Sequence, residues 1–236
     1  MRIAGRPGFC AIAIMAKAPR RGEVKTRLVP PLSEADAAAL GRSFIQDIAG
    51  NILAAARIAP IEGYVAYSPP GSEDLFLSLL PQGIGLVPPR RIGLGDALLD
   101  AAEDLLTAGY GSMCLVNADS PTLPTKLLIA AARALAAPGD RVVLGPAEDG
   151  GYYLIGLKHP HRRLFEEIAW STEGVFGQTL ERAREIGLDS VTLQRWYDVD
   201  DIASLRRLAD ELRGANTGGY AAPHTAAILR RLAAAL

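Results

Sequence analysis

Short apolar runs alternate along this chain with longer stretches in which apolar residues recur every third or fourth position. Residues 10–15, 63–67, 86–87, 112–117, 141–144, 152–157 and 190–193 read as strands. Residues 33–57, 72–80, 96–107, 124–136, 161–168, 175–186, 202–212 and 223–235 read as helices. Several ends carry their own signals. Ser33 and Ser72 stand as N-caps with acids behind them, Pro124 opens a helix, Gly109 stops one, and Asp201 caps another.

Strands alternating with helices, without repeats or low-complexity tracts, predict a mainly parallel sheet covered on both faces. The connection at 145–151 is too short for a helical crossover, so antiparallel pairing is expected there. The pattern predicts one mixed-sheet α/β domain over residues 1–213. Residues 214–236 would add a C-terminal linker and helix, with 214–219 as a loose link.

At 236 residues the chain can bury one substantial core. Its formal net charge of −1 argues against a nucleic-acid-coating protein. Cys10 and Cys114, the only cysteines, lie in apolar runs and read as core residues, not as a disulfide or metal pair. His159, His161 and His224 lack zinc-ligand spacing. No apolar stretch approaches the roughly 18 residues of a membrane span. Nothing near Met1 resembles a signal peptide, so the expectation is a cytoplasmic enzyme.

Against that neutral background one loop stands out. After the first strand, Lys17, Arg20, Arg21, Lys25 and Arg27 face a single acid, Glu23. Open α/β sheets bind phosphates at the carboxyl ends of their strands, and lysine with arginine grips a diphosphate by charge and fork geometry. The stretch Gly22-Glu-Val-Lys25-Thr26-Arg27 lacks the Gly-Lys-Thr and glycine spacing of a Walker P-loop. Read blandly, it is a solvated basic loop.

Three acidic stations follow. Asp119 comes directly after an apolar strand and before Ser120-Pro121, a place for an Mg²⁺ or Mn²⁺ ligand or for a turn aspartate. Glu148 and Asp149 sit in the turn Gly145-Pro-Ala-Glu-Asp-Gly150-Gly151, where they could accept a proton or bind a hydroxyl, or merely close a hairpin. Asp198, Asp200 and Asp201 crowd ahead of a helix, with Asp201 read as a plain cap and the other two as site candidates. Two charges ~4 Å apart repel by about 4 kcal/mol at an effective dielectric of 20, so clustering such groups calls for a cation. Together the motifs read as metal-assisted chemistry on a nucleoside polyphosphate.

The order of Lys17-x-x-x-x-Gly22-x-x-Lys25-Thr-Arg-Leu, Asp119-Ser-Pro121, Gly145-Pro-Ala-x-Asp-Gly-Gly151, Trp170-Ser171-Thr172 and Asp198-Val-Asp200 resembles a bacterial family of GT-A-like proteins. That family was long labelled a domain of unknown function and is associated with arsenosugar-type glycosyltransferases. It is more distantly similar to phospholactate and molybdenum-cofactor guanylyltransferases. The resemblance spans roughly residues 9–208 and implies the nucleotide-diphospho-sugar transferase (GT-A, Rossmann-like) fold. It would place Lys17, Gly22, Lys25, Thr26 and Arg27 on nucleotide phosphates, with Asp119 and Asp200 on an Mg²⁺ or Mn²⁺ ion. Glu148, Gly150, Gly151, Trp170 and Ser171 would lie near sugar or acceptor, with Asp149 and Lys25 catalytic. The chain departs from the family at Gly93-Leu-Gly95-Asp-Ala97, which lacks a usual arginine, and at Asn117, which replaces a usual glycine and leaves no strict Asp-x-Asp.

The leading expectation is glycosyl transfer from a nucleoside diphosphate sugar to a small acceptor, with no nucleic-acid partner and a homodimer as an open option. The alternatives are nucleotidyl transfer from a nucleoside triphosphate with release of pyrophosphate, and a nucleotide-binding protein without catalysis. Trp170 and Tyr152 could line a pocket or pack the core.

Overall fold

The computed structural model describes residues 3–91, 93–214 and 218–233. Seven strands form one sheet: β1 (Cys10–Lys17), β2 (Ile61–Ser68), β3 (Ile84–Val87), β4 (Ser112–Val116), β5 (Arg141–Pro146), β6 (Tyr152–Leu157) and β7 (Asp189–Thr192). The helices are α1 (Glu34–Ala56), α2 (Glu73–Leu79), α3 (Leu94–Thr107), α4 (Thr125–Ala136), α5 (Val175–Glu185), α6 (Ile202–Arg213) and α7 (Pro223–Leu232). The strand order is β3-β2-β1-β4-β6-β5-β7. All pairings are parallel except those of β6, which runs antiparallel to β4 and β5. The short glycine turn between β5 and β6 therefore makes the antiparallel hairpin that its length predicts.

Chain progression leaves β1 towards β2 on one side, while β4 pairs with β1 on the other. The crevice between the carboxyl ends of β1 and β4 is thus a topological switch point, the place where open α/β sheets hold ligands. Lys17 ends β1, and Asp119 lies just beyond β4.

Each central strand is buried on both sides, which explains its unbroken apolar character. Ile12 and Ile14 of β1 join the core under α1 and α4, whereas Ala11 and Ala13 face the core under α3. A third cluster, off the sheet, gathers Leu28, Leu40, Phe44, Tyr197, Val199, Leu205 and Leu229. It is the device that brings the basic loop and the late aspartates together.

Local signals held unevenly. The Ser33 hydroxyl accepts the Asp36 N–H at 3.1 Å, and Asp201 with Ser204 forms a capping box at the start of α6. Ser72 does not cap α2; its hydroxyl instead accepts a hydrogen bond from Arg20 at 3.1 Å. The helix expected at 161–168 shrinks to a 3-10 turn, Arg162–Phe165. Glu166 is already extended and Glu167 takes a φ of +53°, so the backbone leaves helical geometry there. Cys10 and Cys114 are buried free thiols with sulfurs 3.8 Å apart, in line with their reading as core residues. α7 docks on α1 by backbone N–H donation from His224 and Thr225 to the buried Asp47 carboxylate, at 3.0 and 2.7 Å. Of the expected link at 214–219, residues 215–217 lie outside the described residues, as do residues 234–236 at the end of the closing helix.

Candidate active site

The basic loop is built by local contacts. Beyond Lys17 the chain turns through Gly22, at a φ of +73°, and the Lys17 ammonium donates to the Glu23 carbonyl at 3.0 Å. Lys25 itself adopts the left-handed conformation, φ +51°, and precedes a 3-10 turn, Thr26–Leu28. A non-glycine residue in that region is held against a cost of order 1 kcal/mol. Two anchors hold it: Leu28 is fully buried in the third cluster, and the Lys25 side chain is only 8% exposed.

The Lys25 ammonium lies 2.6 Å from Asp119, 3.5 Å from Asp200 and 5.1 Å from the centre of the Phe44 ring. It also donates to the Val199 carbonyl. Lys25 of the basic loop is therefore in direct contact with a strand-end aspartate 94 residues away and with a late aspartate 175 residues away.

The late acidic segment arrives by continuing a ladder. After β7, Trp196 N–H donates to Pro146 O at 3.1 Å and residue 196 bridges Ala147 in parallel register. Val199 N–H then bonds Asp119 O at 3.0 Å, and the Ser120 hydroxyl bonds Tyr197 O at 3.0 Å. The segment alternates: Tyr197 and Val199 are buried, while Asp198 and Asp200 face the cleft. Carboxylate oxygens of Asp149, Asp198 and Asp200 all lie within 4.8 Å of one another.

Such crowding has an electrostatic signature. Burial, then repulsion from Asp149 and Asp200, pushes the Asp198 carboxyl up to about 6. Burial also raises Asp200, although the Lys25 ammonium pulls it back. A hard divalent cation would relieve both, and an all-carboxylate donor set suits Mg²⁺ or Mn²⁺.

These groups border a cleft of about 1290 Å³. Lys17, Lys25, Thr26 and Arg27 line it from the β1 side, and Asp119 from the end of β4. Asp149, Gly151, Trp170, Ser171 and Asp200 line it from the opposite side. Three expected contacts stand outside the lining. Gly22 shapes the turn. Glu148 points away and holds Arg207 in a two-pronged pair at 2.7 and 3.2 Å. Gly150, φ +90°, has the Glu173 backbone packed where a Cβ would stand, 2.2 Å away, so its role is to let the turn close.

Sequence reasoning missed the other basic wall. Arg90 and Arg91, just past β3, line the cleft, with Arg91 bound to buried Asp100 at 2.9 Å and to Asp96 at 2.7 Å. The readable signal was a pair of arginines at the carboxyl end of a strand. Glu173 was also missed, as was Asp198 as a partner of Asp149.

The fold is that of the nucleotide-diphospho-sugar transferases, a transferase-class architecture. Residues 51–172 match the model of a family described as an uncharacterized protein conserved in bacteria (DUF2064), and the chain belongs to that family. A candidate nucleotide-diphospho-sugar transferase from Desulfovibrio desulfuricans G20 is 28% identical and superposes with a TM-score of 0.81, over 95% of both chains. CMP:2-keto-3-deoxy-manno-octonic acid synthetase, solved with CTP, shares the fold at 14% identity and a TM-score of 0.55, over 85% of this chain and 96% of its own. The inositol-1-phosphate CTP transferase from T. maritima does so at 12% identity and 0.50, over 97% and 98%. No curated protein sequence matches the chain. No described helix is long and apolar enough to cross a membrane.

Proposed function

We propose that this protein is a divalent-metal-dependent transferase with a nucleotide donor, moving a sugar from a nucleoside diphosphate to a small hydroxyl acceptor. The observation that carries the reading is the buried Lys25 ammonium held between Asp119 and Asp200 at the sheet's switch point. Cation and carboxylates there share one cleft, as a metal–diphosphate ligand requires. The likeness to the D. desulfuricans protein supports the sugar donor.

In this reading Lys17, Lys25, Thr26 and Arg27 hold the diphosphate, and Asp119, Asp198 and Asp200 would hold Mg²⁺ or Mn²⁺. Such an ion, when bound, neutralises diphosphate charge and so favours its departure. Asp149, the exposed member of the acidic group, receives the acceptor's hydroxyl proton. The acceptor oxygen bonds to the anomeric carbon as the carbon–oxygen bond to the diphosphate breaks, and the nucleoside diphosphate leaves with the electron pair. Lys25 and Arg27 meet the charge that develops on it. Gly151, Trp170 and Ser171 border the acceptor's side. Buried free thiols at Cys10 and Cys114 suit a reducing cytoplasm.

Nucleotidyl transfer is the second reading, favoured by the fold shared with the two CTP-linked enzymes. The charge distribution weighs against a phosphate acceptor. From residue 147 onward the cleft lining holds Asp149, Glu173, Asp198 and Asp200 and, among described residues, no lysine or arginine. A panel of nucleotide sugars with Mn²⁺ and neutral polyol or sugar acceptors tests the proposal. Nucleoside diphosphate should appear with at least one donor and vanish on chelation. Pyrophosphate release from a nucleoside triphosphate, with no diphosphate from any sugar donor, would replace it by the second reading.

A further inference from the structure

Resting on that reading, we infer that Arg207 is a positioning residue: it ties the turn carrying Asp149 to the extended segment carrying Asp198 and fixes their separation. The guanidinium takes the Glu148 carboxylate with both prongs, at 2.7 and 3.2 Å. Its Cζ also stands 3.9 Å from the centre of the Tyr197 ring. Glu148 and Tyr197 are the chain neighbours of Asp149 and Asp198. Arg207 therefore touches neither carboxylate, yet grips the residue beside each.

The tie opposes a real force. Asp149 and Asp200 both repel Asp198, and Asp149 sits in an exposed turn next to Gly150 and Gly151. Backbone bonds secure that turn at its flanks, from Ala147 N–H to Gly151 O and from Phe176 N–H to Gly150 O, both at 3.0 Å. Among described residues, the Glu148 carboxylate is held by the Arg207 guanidinium. α6, on which Arg207 rides, is itself fixed at its start by the Asp201–Ser204 capping box. One helix thus places Asp198 and Asp200 through its N-terminal approach and Asp149 through its side chain. The pair is solvent-accessible, 52% and 46% exposed, so removing it should leave the stability of the fold close to wild type.

The sign of the metal response separates positioning from charge. Deleting a positive group beside a cation site would tighten Mn²⁺ by electrostatics alone; releasing the turn carries the Asp149 carboxylate, within 4.8 Å of Asp198 and Asp200, away from the ion and weakens it. We expect Arg207→Gln to weaken Mn²⁺ binding, titrated by electron paramagnetic resonance without nucleotide, roughly tenfold, the scale of a lost outer-shell contact. Arg207→Lys, which keeps the charge but not the fork, should recover little. In an Asp149→Asn background Arg207→Gln should have no further effect. A metal-free measurement runs alongside: hydrogen exchange of the Gly151 amide, bonded to Asp149 at 2.8 Å, should quicken several-fold in Arg207→Gln. Unchanged Gly151 exchange, or Mn²⁺ bound as tightly or more tightly, overturns the inference. A wild-type protein that binds no Mn²⁺ would sink the metal reading instead, and the exchange result by itself then decides the role of Arg207.

Discussion

The two sides of the cleft are held in opposite ways. The cationic side is a local construction: one turn, one 3-10 element, a buried leucine, and a lysine whose charge is met by two carboxylates. The acidic side is assembled from the end of β4, the β5–β6 turn and the segment before α6, and its charges oppose one another. Lys25 is electrostatically satisfied as it stands. The acidic side stores repulsion that a cation would discharge. Binding energy for a metal is therefore to be sought in the late aspartates, and phosphate recognition in the loop after β1.

The largest break in this contrast should come from Lys25→Met. It removes the shared cation, so donor kcat/KM should fall by about 10²–10³, the scale of a lost charge-stabilising contact. Steady-state diphosphate release measures this, and a fall of less than about threefold would remove Lys25 from the machinery.

Asp198→Asn should act in the opposite direction on stability. Relieving a repelled carboxyl should stabilise the metal-free protein at pH 8, by about 1–2 kcal/mol once solvent screening of this half-buried group is allowed for, read from urea unfolding in chelator, while weakening Mn²⁺ binding. A loss of stability at pH 8 would contradict the repulsion.

The same group predicts a pH trend. Its folded value, about 6, lies above the ordinary 3.8, so between these values the folded state holds the proton that the unfolded state has lost. Its contribution to stability therefore falls as pH rises from about 4 through about 6. Subtracting the Asp198→Asn curve from the wild-type curve in chelator isolates this slope. Saturating Mn²⁺ should reverse it, because the ion requires the ionised form.

The smallest effect concerns Trp170, on the acidic side of the cleft. A Cβ on Gly95 would stand 2.5 Å from the Trp170 indole nitrogen, so Gly95→Ala must displace the ring. We expect a stability loss of about 1 kcal/mol and a shift in Trp170 fluorescence. An unmoved emission spectrum in a Trp196→Phe background would show that the ring is not held there.

Much of this architecture was legible because its signals are local. Strand runs, the Ser33 and Asp201 caps and the short β5–β6 connection each lie within a few residues of the structure they specify. Ser72 shows the limit: a serine ahead of acids looks like a cap, but Arg20, 52 residues earlier, takes its hydroxyl. Glu148 shows it again. Its neighbours suggested a ligand contact, whereas a guanidinium 59 residues further along turns it outward. The alternation of Tyr197 and Val199 with Asp198 and Asp200 was visible as a pattern, but not which partner each face would meet.

By itself the sequence determined which segments become strands and helices, and that cations and carboxylates gather at strand ends, because periodicity and capping are short-range properties of the polymer. Tertiary structure decided the rest: that β4 pairs beside β1, that Leu28, Phe44, Tyr197 and Val199 share one cluster, and that Lys25 consequently lies between Asp119 and Asp200. Those outcomes depend on burying apolar surface from opposite ends of the chain in one place, and no short window of residues encodes such a meeting.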